Sequence, residues 1–357
     1  MKIIHTSDIH IDSPLTARLP MDKIRERRRE LIAGFARLVA DAKAMGAGAI
    51  IIAGDLFDSE KITKRALDTA LDTIEGSPEI VFFYLEGNHE GDALMESGRT
   101  LPKNLLTFGE GWTYYGAGDL TVAGRTTLSP DMFDTLTLSP DKKNIVILHG
   151  ELREGASSES VIGLRDLKGK NIDYLALGHY HSYSKTKIEG GGVAVYSGTP
   201  EGRGFDECGD KGYVIINTVG GEIDSVFKGF AKRILRRVEL DISGFNRQGE
   251  IEEGARAALA GISSSDLIRL ELVGTHLPEF WMDTDALCEK FSDRYYYFEV
   301  KDLSRIRIDP DEYKFDKTLK GEFIRTVSAD PDLSDEMKGR IILCGINALM
   351  SGDPFDN

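Results

Sequence analysis

Paired cysteines are the first thing this chain lacks. Only Cys208, Cys288 and Cys344 occur in 357 residues, far apart and with no CxxC pair. An odd, scattered set supports neither a disulfide framework nor a cysteine-rich zinc site, and it points to a reducing cytoplasm. Long apolar runs are missing too. Stretches such as Ala49–Ala53 and Ile80–Leu85 fall far short of the ~20 residues that span a bilayer. The opening Met1-Lys2-Ile3-Ile4-His5 lacks the apolar stretch of about 7–15 residues found in a signal peptide. The expectation is a soluble cytoplasmic protein without membrane association. Positive charge is short as well: 44 Lys and Arg against 59 Asp and Glu give a net charge of −15. That excludes a uniformly basic nucleic-acid coat protein and leaves room only for a local basic strip. What remains is an ordinary globular composition, 41% hydrophobic and 29% charged, long enough for two domains at roughly 100–200 residues each.

Five short apolar runs in the first half each lead straight into polar residues. Lys2–His5 precedes Ser7-Asp8-Ile9-His10, Ala49–Ala53 precedes Gly54-Asp55, and Ile80–Leu85 precedes Gly87-Asn88-His89-Glu90. Ile145–Leu148 precedes His149-Gly150, and Tyr174–Leu177 precedes Gly178-His179-Tyr180-His181. Such runs read as strands buried on both faces. Between them, Asp22–Met45 carries a helical stripe, and Ser59 is expected to cap a second helix that stops at Gly76. Alternating strands and helices indicate an α/β layered sheet, whose ligands gather at the carboxyl ends of the strands. We expect a first domain over 1–230. A small β-α-β-α-β domain follows over 231–305, and then a helical tail over 306–357 with a break at Asp330-Pro331.

Five of the seven histidines, His10, His89, His149, His179 and His181, fall in these clusters beside Asp8, Asp55 and Asn88. Mixed carboxylate, imidazole and amide donors suit divalent manganese, iron or zinc. If Asp8-x-His10 is extended, both side chains point the same way and can share one ion. His179-x-His181 repeats the spacing, and Asp55, with two carboxylate oxygens, can bridge a pair. Two ions ~3.5–4 Å apart generate a nucleophile from water and clamp phosphoryl oxygens. Phosphate-ester hydrolysis is the chemistry that this donor set suits.

Asp8-x-His10, Gly54-Asp55-x-x-Asp58, Gly87-Asn88-His89-Glu90, His149-Gly150 and Gly178-His179-x-His181, in that order, resemble the calcineurin-like metallophosphoesterase superfamily. The resemblance implies a four-layer α/β/β/α sandwich. By resemblance, one metal takes Asp8, His10, Asp55 and His181, and the other takes Asp55, Asn88, His149 and His179. His89 is then a non-ligand that protonates the leaving oxygen or stabilises the transition state, and Asp58 orients His89 or a ligand. Manganese is expected, with iron, zinc or magnesium as alternatives. The segments His5–Pro14, Gly54–Asp58 and Tyr196–Arg203 look like the SbcD and Mre-eleven DNA repair nucleases. That likeness implies DNA as substrate, a capping domain over Arg237–Val300, a homodimer and an SMC-like coiled-coil ATPase partner. A small-molecule or cyclic-nucleotide phosphodiesterase, or a DNA-end scaffold for such an ATPase, is the alternative.

Two features depart from near relatives of the pattern. Glu90 stands where that nuclease branch usually has Asp. The serine/threonine phosphatases that share Gly-Asn-His-Glu carry a phosphate-holding arginine pair, where this chain has Ser59 and Glu86, which argues against a phosphomonoesterase of that class. Arg25, Arg28 and Arg29 on the first helix, Lys61, Lys64 and Arg65 on the second, and Lys232, Arg233, Arg236 and Arg237 are candidate phosphate contacts. His5, His276, Trp112, Tyr114 and the run Tyr295–Phe298 read as packing or surface residues.

Overall fold

The computed structural model describes all residues except 16, 18, 60–61, 90–93, 95–96, 221–222, 278–279, 281, 308–309 and 352–357. Glu90 and Lys61 therefore lie outside the described residues. The chain divides into two compact units, Met1–Leu235 and Arg236–Asn357.

The first unit runs β1 (Lys2–Thr6), α1 (Met21–Ala44), β2 (Ala47–Ala53), α2 (Lys64–Glu75), β3 (Val81–Leu85), β4 (Leu105–Thr107), β5 (Thr113–Ala117) and β6 (Leu120–Gly124). After a 3-10 turn at Met132–Asp134 come β7 (Lys143–His149), β8 (Glu151–Arg153) and β9 (Val161–Gly163). A second 3-10 turn at Leu164–Leu167 leads to β10 (Tyr174–Gly178), β11 (Ser184–Lys187), β12 (Val193–Tyr196), β13 (Gly212–Asn217) and β14 (Asp224–Gly229). Two six-stranded sheets result, ordered β14-β13-β1-β2-β3-β4 and β11-β12-β10-β7-β6-β5.

Strand residues alternate between two cores, which is why the runs are apolar without interruption. Ile3, Ile51 and Phe83 of the first sheet meet Ile145, Ile147, Tyr174 and Val195 of the second. Ile4, Ile50, Ile52 and Phe82 face Phe35, Leu38 and Ala42 of α1 and Ala66, Ala70 and Ile74 of α2. The far face of the second sheet is covered by Met132, Phe133, Leu138, Leu167 and Ile188. Among the described residues, that outer layer is built on the two 3-10 turns and their loops rather than on long helices. The cap of α2 is Thr63, not Ser59, with its side chain accepting from the Ala66 N–H. Asp12 takes the backbone N–H groups of Asp58 and Thr63 at 3.0 and 3.3 Å, fixing Thr63 where the helix starts. Strands β1, β2 and β3 are mutually parallel, as are β7 and β10.

In the second unit, β15 (Leu235–Asp241), α3 (Gln248–Ala258), β16 (Leu267–Val273), β17 (Thr275–His276), α4 (Thr284–Ser292), β18 (Tyr297–Asp302) and β19 (Arg305–Ile306) precede α5 (Leu319–Ala329) and α6 (Asp335–Ser351). A three-stranded sheet, β15-β16-β18, packs Ile268, Leu270 and Phe298 on Ile251 and Ala255 of α3 and Leu287 and Phe291 of α4. Helices α5 and α6, on either side of Asp330-Pro331, bury Ile324, Ile342 and Ile346 with Tyr313.

Candidate metal centre

Where β1 and β2 end, their loops zip together: Asp8 N–H donates to Gly54 O at 3.0 Å and His10 N–H to Asp55 O at 3.1 Å. Neither Asp8 nor His10 is extended. Their φ values are 50° and 48°, Asp55 has 54° and His179 has 104°. The expected period-two geometry does not hold, because β1 stops at Thr6 and β10 at Gly178, before each motif begins. Left-handed backbone turns aim these side chains instead, at a cost of about 1–3 kcal/mol each. Two glycines make room for the crowding. A Cβ on Gly54 would lie 2.0 Å from His149 Nδ1, and one on Gly87 would lie 2.0 Å from Asp55 Oδ1.

The expected ligands converge. Asp8, His10 and His181 form one cluster of possible metal-binding atoms, Asp8, Asp55 and His149 a second, and His10, Asp58 and His89 a third. His181 Nε2 lies 3.6 Å from Asp8 Oδ1, and His10 Nε2 lies 3.9 Å from Asp55 Oδ2. On the other side, His149 Nε2 lies 3.4 Å from Asp55 Oδ2 and 2.8 Å from Asn88 Oδ1. The His179 ring packs 5.6 Å from that of His149, and its backbone N–H donates to Asp8 Oδ1 at 3.0 Å. His89 donates its backbone N–H to Asp55 Oδ1 at 3.1 Å and leaves its ring exposed, 5.1 Å from the ring of His10.

These residues fit divalent metal. Asp8 and Asp55 are wholly buried, and their only ion-pair partners among the described residues are histidines. Buried carboxylates without a compensating cation are costly. His10 Nε2 is likewise buried without a hydrogen-bond partner. A cation between them resolves both deficits.

Of the two roles expected for Asp58, contact with a ligand is the direct one: its Oδ1 lies 3.0 Å from His10 Nδ1 and accepts from Arg203 at 2.7 Å, while His89 shares the same cluster within 4.8 Å. Sequence reasoning missed Glu207, buried at 4% exposure, whose Oε1 sits 2.7 Å from His181 Nδ1. Burial opposes ionisation of Glu207, but hydrogen bonds with His181 and Arg203 prevail and hold its carboxyl at about 2. Burial also disfavours the charged form of His181, yet Glu207 and Asp8 outweigh it and raise the pKa. Burial lowers that of His179, helped by the neighbouring His149. His5 is buried against Tyr174, Nδ1 to hydroxyl 2.9 Å, and burial drops its pKa to about 3, so it packs as a neutral ring.

Arg25, Arg28 and Arg29 lie on α1, with Arg28 donating to Pro14 O at 3.1 Å. The later cations are engaged within the protein: Lys232 and Arg233 pair with Glu30, and Arg236 with Asp266. A cavity of about 660 Å³ opens beside Asn88, His149 and His179. Its charged lining is acidic, with Glu86, Glu110, Glu151 and Glu159. Among the described residues, no helix is long and apolar enough to cross a membrane.

Residues 1–183 match the family described as calcineurin-like phosphoesterase. The uncharacterized metallophosphoesterase YhaO of Bacillus subtilis (strain 168) is 23% identical over 303 residues, 79% of this chain and 74% of that one. The DNA double-strand break repair protein Mre11 of Methanosarcina acetivorans is 29% identical over 237 residues, which are 62% of this chain but 37% of that longer one. A second protein of that name, from Sulfurisphaera tokodaii, is 26% identical over 250 residues, 64% of this chain and 62% of that one.

Proposed function

The chain belongs to the calcineurin-like phosphoesterase family, and from that premise we propose that it is a two-metal phosphodiesterase acting on DNA in break repair, as an exonuclease or endonuclease. The observation that carries the reading is the convergence of Asp8, His10, Asp55, Asn88, His149 and His181 from the ends of the strands, with Asp55 between the two histidine sets. Asp8, His10, Asp55 and His181 would hold one divalent ion, and Asp55, Asn88, His149 and His179 would hold the other. Manganese is the expected metal, with iron, zinc or magnesium as substitutes. When bound, such a pair supplies a nucleophile from water at neutral pH and neutralises charge on phosphoryl oxygens. His89, exposed beside His10, gives a proton to the leaving oxygen. Asp58 and Glu207 keep the rings of His10 and His181 turned toward the centre. The relatives named for double-strand break repair support DNA as substrate. A homodimer, an SMC-like ATPase partner and a DNA-capping role for the second unit are part of the same proposal, and rest on the likeness of His5–Pro14, Gly54–Asp58 and Tyr196–Arg203 to the SbcD and Mre-eleven nucleases. Arg25, Arg28 and Arg29 are the α1 cations available to the DNA phosphates.

One observation favours a second reading. The acid-lined cavity repels a polyanion and suits a small phosphodiester whose leaving group is neutral or cationic. End-labelled single- and double-stranded DNA, bis-p-nitrophenyl phosphate and cyclic nucleotides, each assayed with manganese, separate the two. DNA cleavage that His89→Ala loses supports the nuclease. Intact DNA beside hydrolysed small diesters would discard the substrate and keep the site.

A further inference from the structure

We propose that Arg203 and Glu207 are positioning residues that make the Asp8–His10–His181 side the tighter of the two ion positions. The guanidinium of Arg203, 9% exposed, bridges two carboxylates. It donates to Asp58 Oδ1 at 2.7 Å, and to Glu207 Oε1 at 2.6 Å through Nη2 and 3.0 Å through Nε. Glu207 Oε2 also accepts the backbone N–H of Arg203 at 2.8 Å, so the carboxylate cannot swing. Each carboxylate then faces the Nδ1 of a histidine, 2.7 Å for Glu207 and His181 and 3.0 Å for Asp58 and His10.

At His181 the carboxylate, which only accepts, lies nearer Nδ1 than the Arg203 Nη2 donor at 3.2 Å, so Nδ1 carries the proton and Nε2 keeps its lone pair. At His10 the 3.0 Å approach of Asp58 is a charge contact without hydrogen-bond alignment. Both Nε2 atoms point toward the carboxylates of Asp8 and Asp55, at 3.6 and 3.9 Å. The opposite side is built on a weaker prop: His149 Nδ1 faces the neutral carbonyl of Ala53 at 3.0 Å. A charged acceptor strengthens the imidazole as a donor to metal more than a carbonyl does. One guanidinium thus holds two ligands of the same ion and neither histidine of the other. This inference rests on the two-ion reading of the site, and not on DNA as its substrate.

Calorimetric titration of the metal-free full chain with Mn²⁺ tests it, using wild type, Glu207→Gln and Asp58→Asn. Wild type should show two unequal positions. Glu207→Gln, which swaps the charged prop for a neutral one, should weaken the tighter position about 10–100-fold and leave the weaker one unchanged. Asp58→Asn should act on that same position through His10. Cobalt absorption at the first equivalent should shift in both variants, a signature that general loosening of the fold does not produce at one position alone. Melting temperatures of the metal-free variants separate a lost fold from a lost site. If Glu207→Gln does not fold, Asp58→Asn carries the comparison. A folded variant with an unchanged tight position, or with both positions weakened equally, overturns the inference. Wild type that takes up no ion sinks the metal-hydrolase reading instead, so the two failures are distinct.

Discussion

On one side of the centre, His10 and His181 lean on ionised carboxylates that share a single buried arginine, and Asp8 and His10 are closed to solvent. On the other, His149 leans on a backbone carbonyl, Asn88 and His179 are exposed, and the cavity opens there. The first side is preorganised by charge, while the second is held by neutral groups and faces the cavity. In the proposed two-ion centre, this difference would keep one ion in place while the other takes part in the chemistry. Asp55 touches histidines of both sides.

Removing that shared residue should erase the difference. Asp55→Ala is expected to cost both ions and on the order of 10³-fold or more in turnover, since the metals supply several kcal/mol of transition-state stabilisation; elemental analysis beside the assay checks that the two losses come together. His89→Ala should separate chemistry from metal: about 10²–10⁴-fold lower turnover with both ions retained. A fall in metal content there would make His89 a ligand. Gly54→Ala presses its Cβ on the His149 ring and strains a backbone at φ 95° whose carbonyl accepts from Asp8. It should weaken the second ion about 10–100-fold and disturb the first as well, unlike Glu207→Gln.

Smaller effects test charge away from the centre. Changing Arg28 and Arg29 to Gln should lower the slope of log affinity for DNA against log salt by about 2, and an unchanged slope removes α1 from the DNA-binding face. Glu30 offers an arginine-bound carboxylate outside the proposed ligand set. Burial opposes its charge, but hydrogen bonds from Arg233, Lys232 and Arg27 hold it at about 2. A depressed carboxylate contributes stability above its unfolded pKa, here the ordinary 4.5, and loses it as pH falls toward 2. Glu30→Gln should therefore destabilise by about 1.5–3 kcal/mol at pH 7. In chemical unfolding, that gap should close between pH 4.5 and 2.

The identities of the clustered residues were legible because each motif follows an apolar run, and parallel strands deliver their ends to one edge. Their geometry was not. Period two holds inside a strand, whereas Asp8, His10 and His179 lie beyond one, in left-handed turns fixed by neighbouring loops. Glu207 was invisible for a related reason. It sits 26 residues from His181 in a glycine-rich segment with no periodicity, and only the folded chain shows what it touches. Asp58 stood out by sequence with two possible partners, His89 or a ligand, and only the folded loops show that His10 is its direct contact.

The left-handed backbone at Asp8, His10, Asp55 and His179 sets fitness for heat against fitness for work. Glycine at any of the four would relax a conformation that side chains resist, and would delete a group on which the proposed hydrolysis depends. At these four positions, relief of backbone strain is thus set against the proposed activity. A library screened for thermal survival alone should drift toward inert proteins at these four positions first, and only a screen that also demands turnover keeps the strained residues in place.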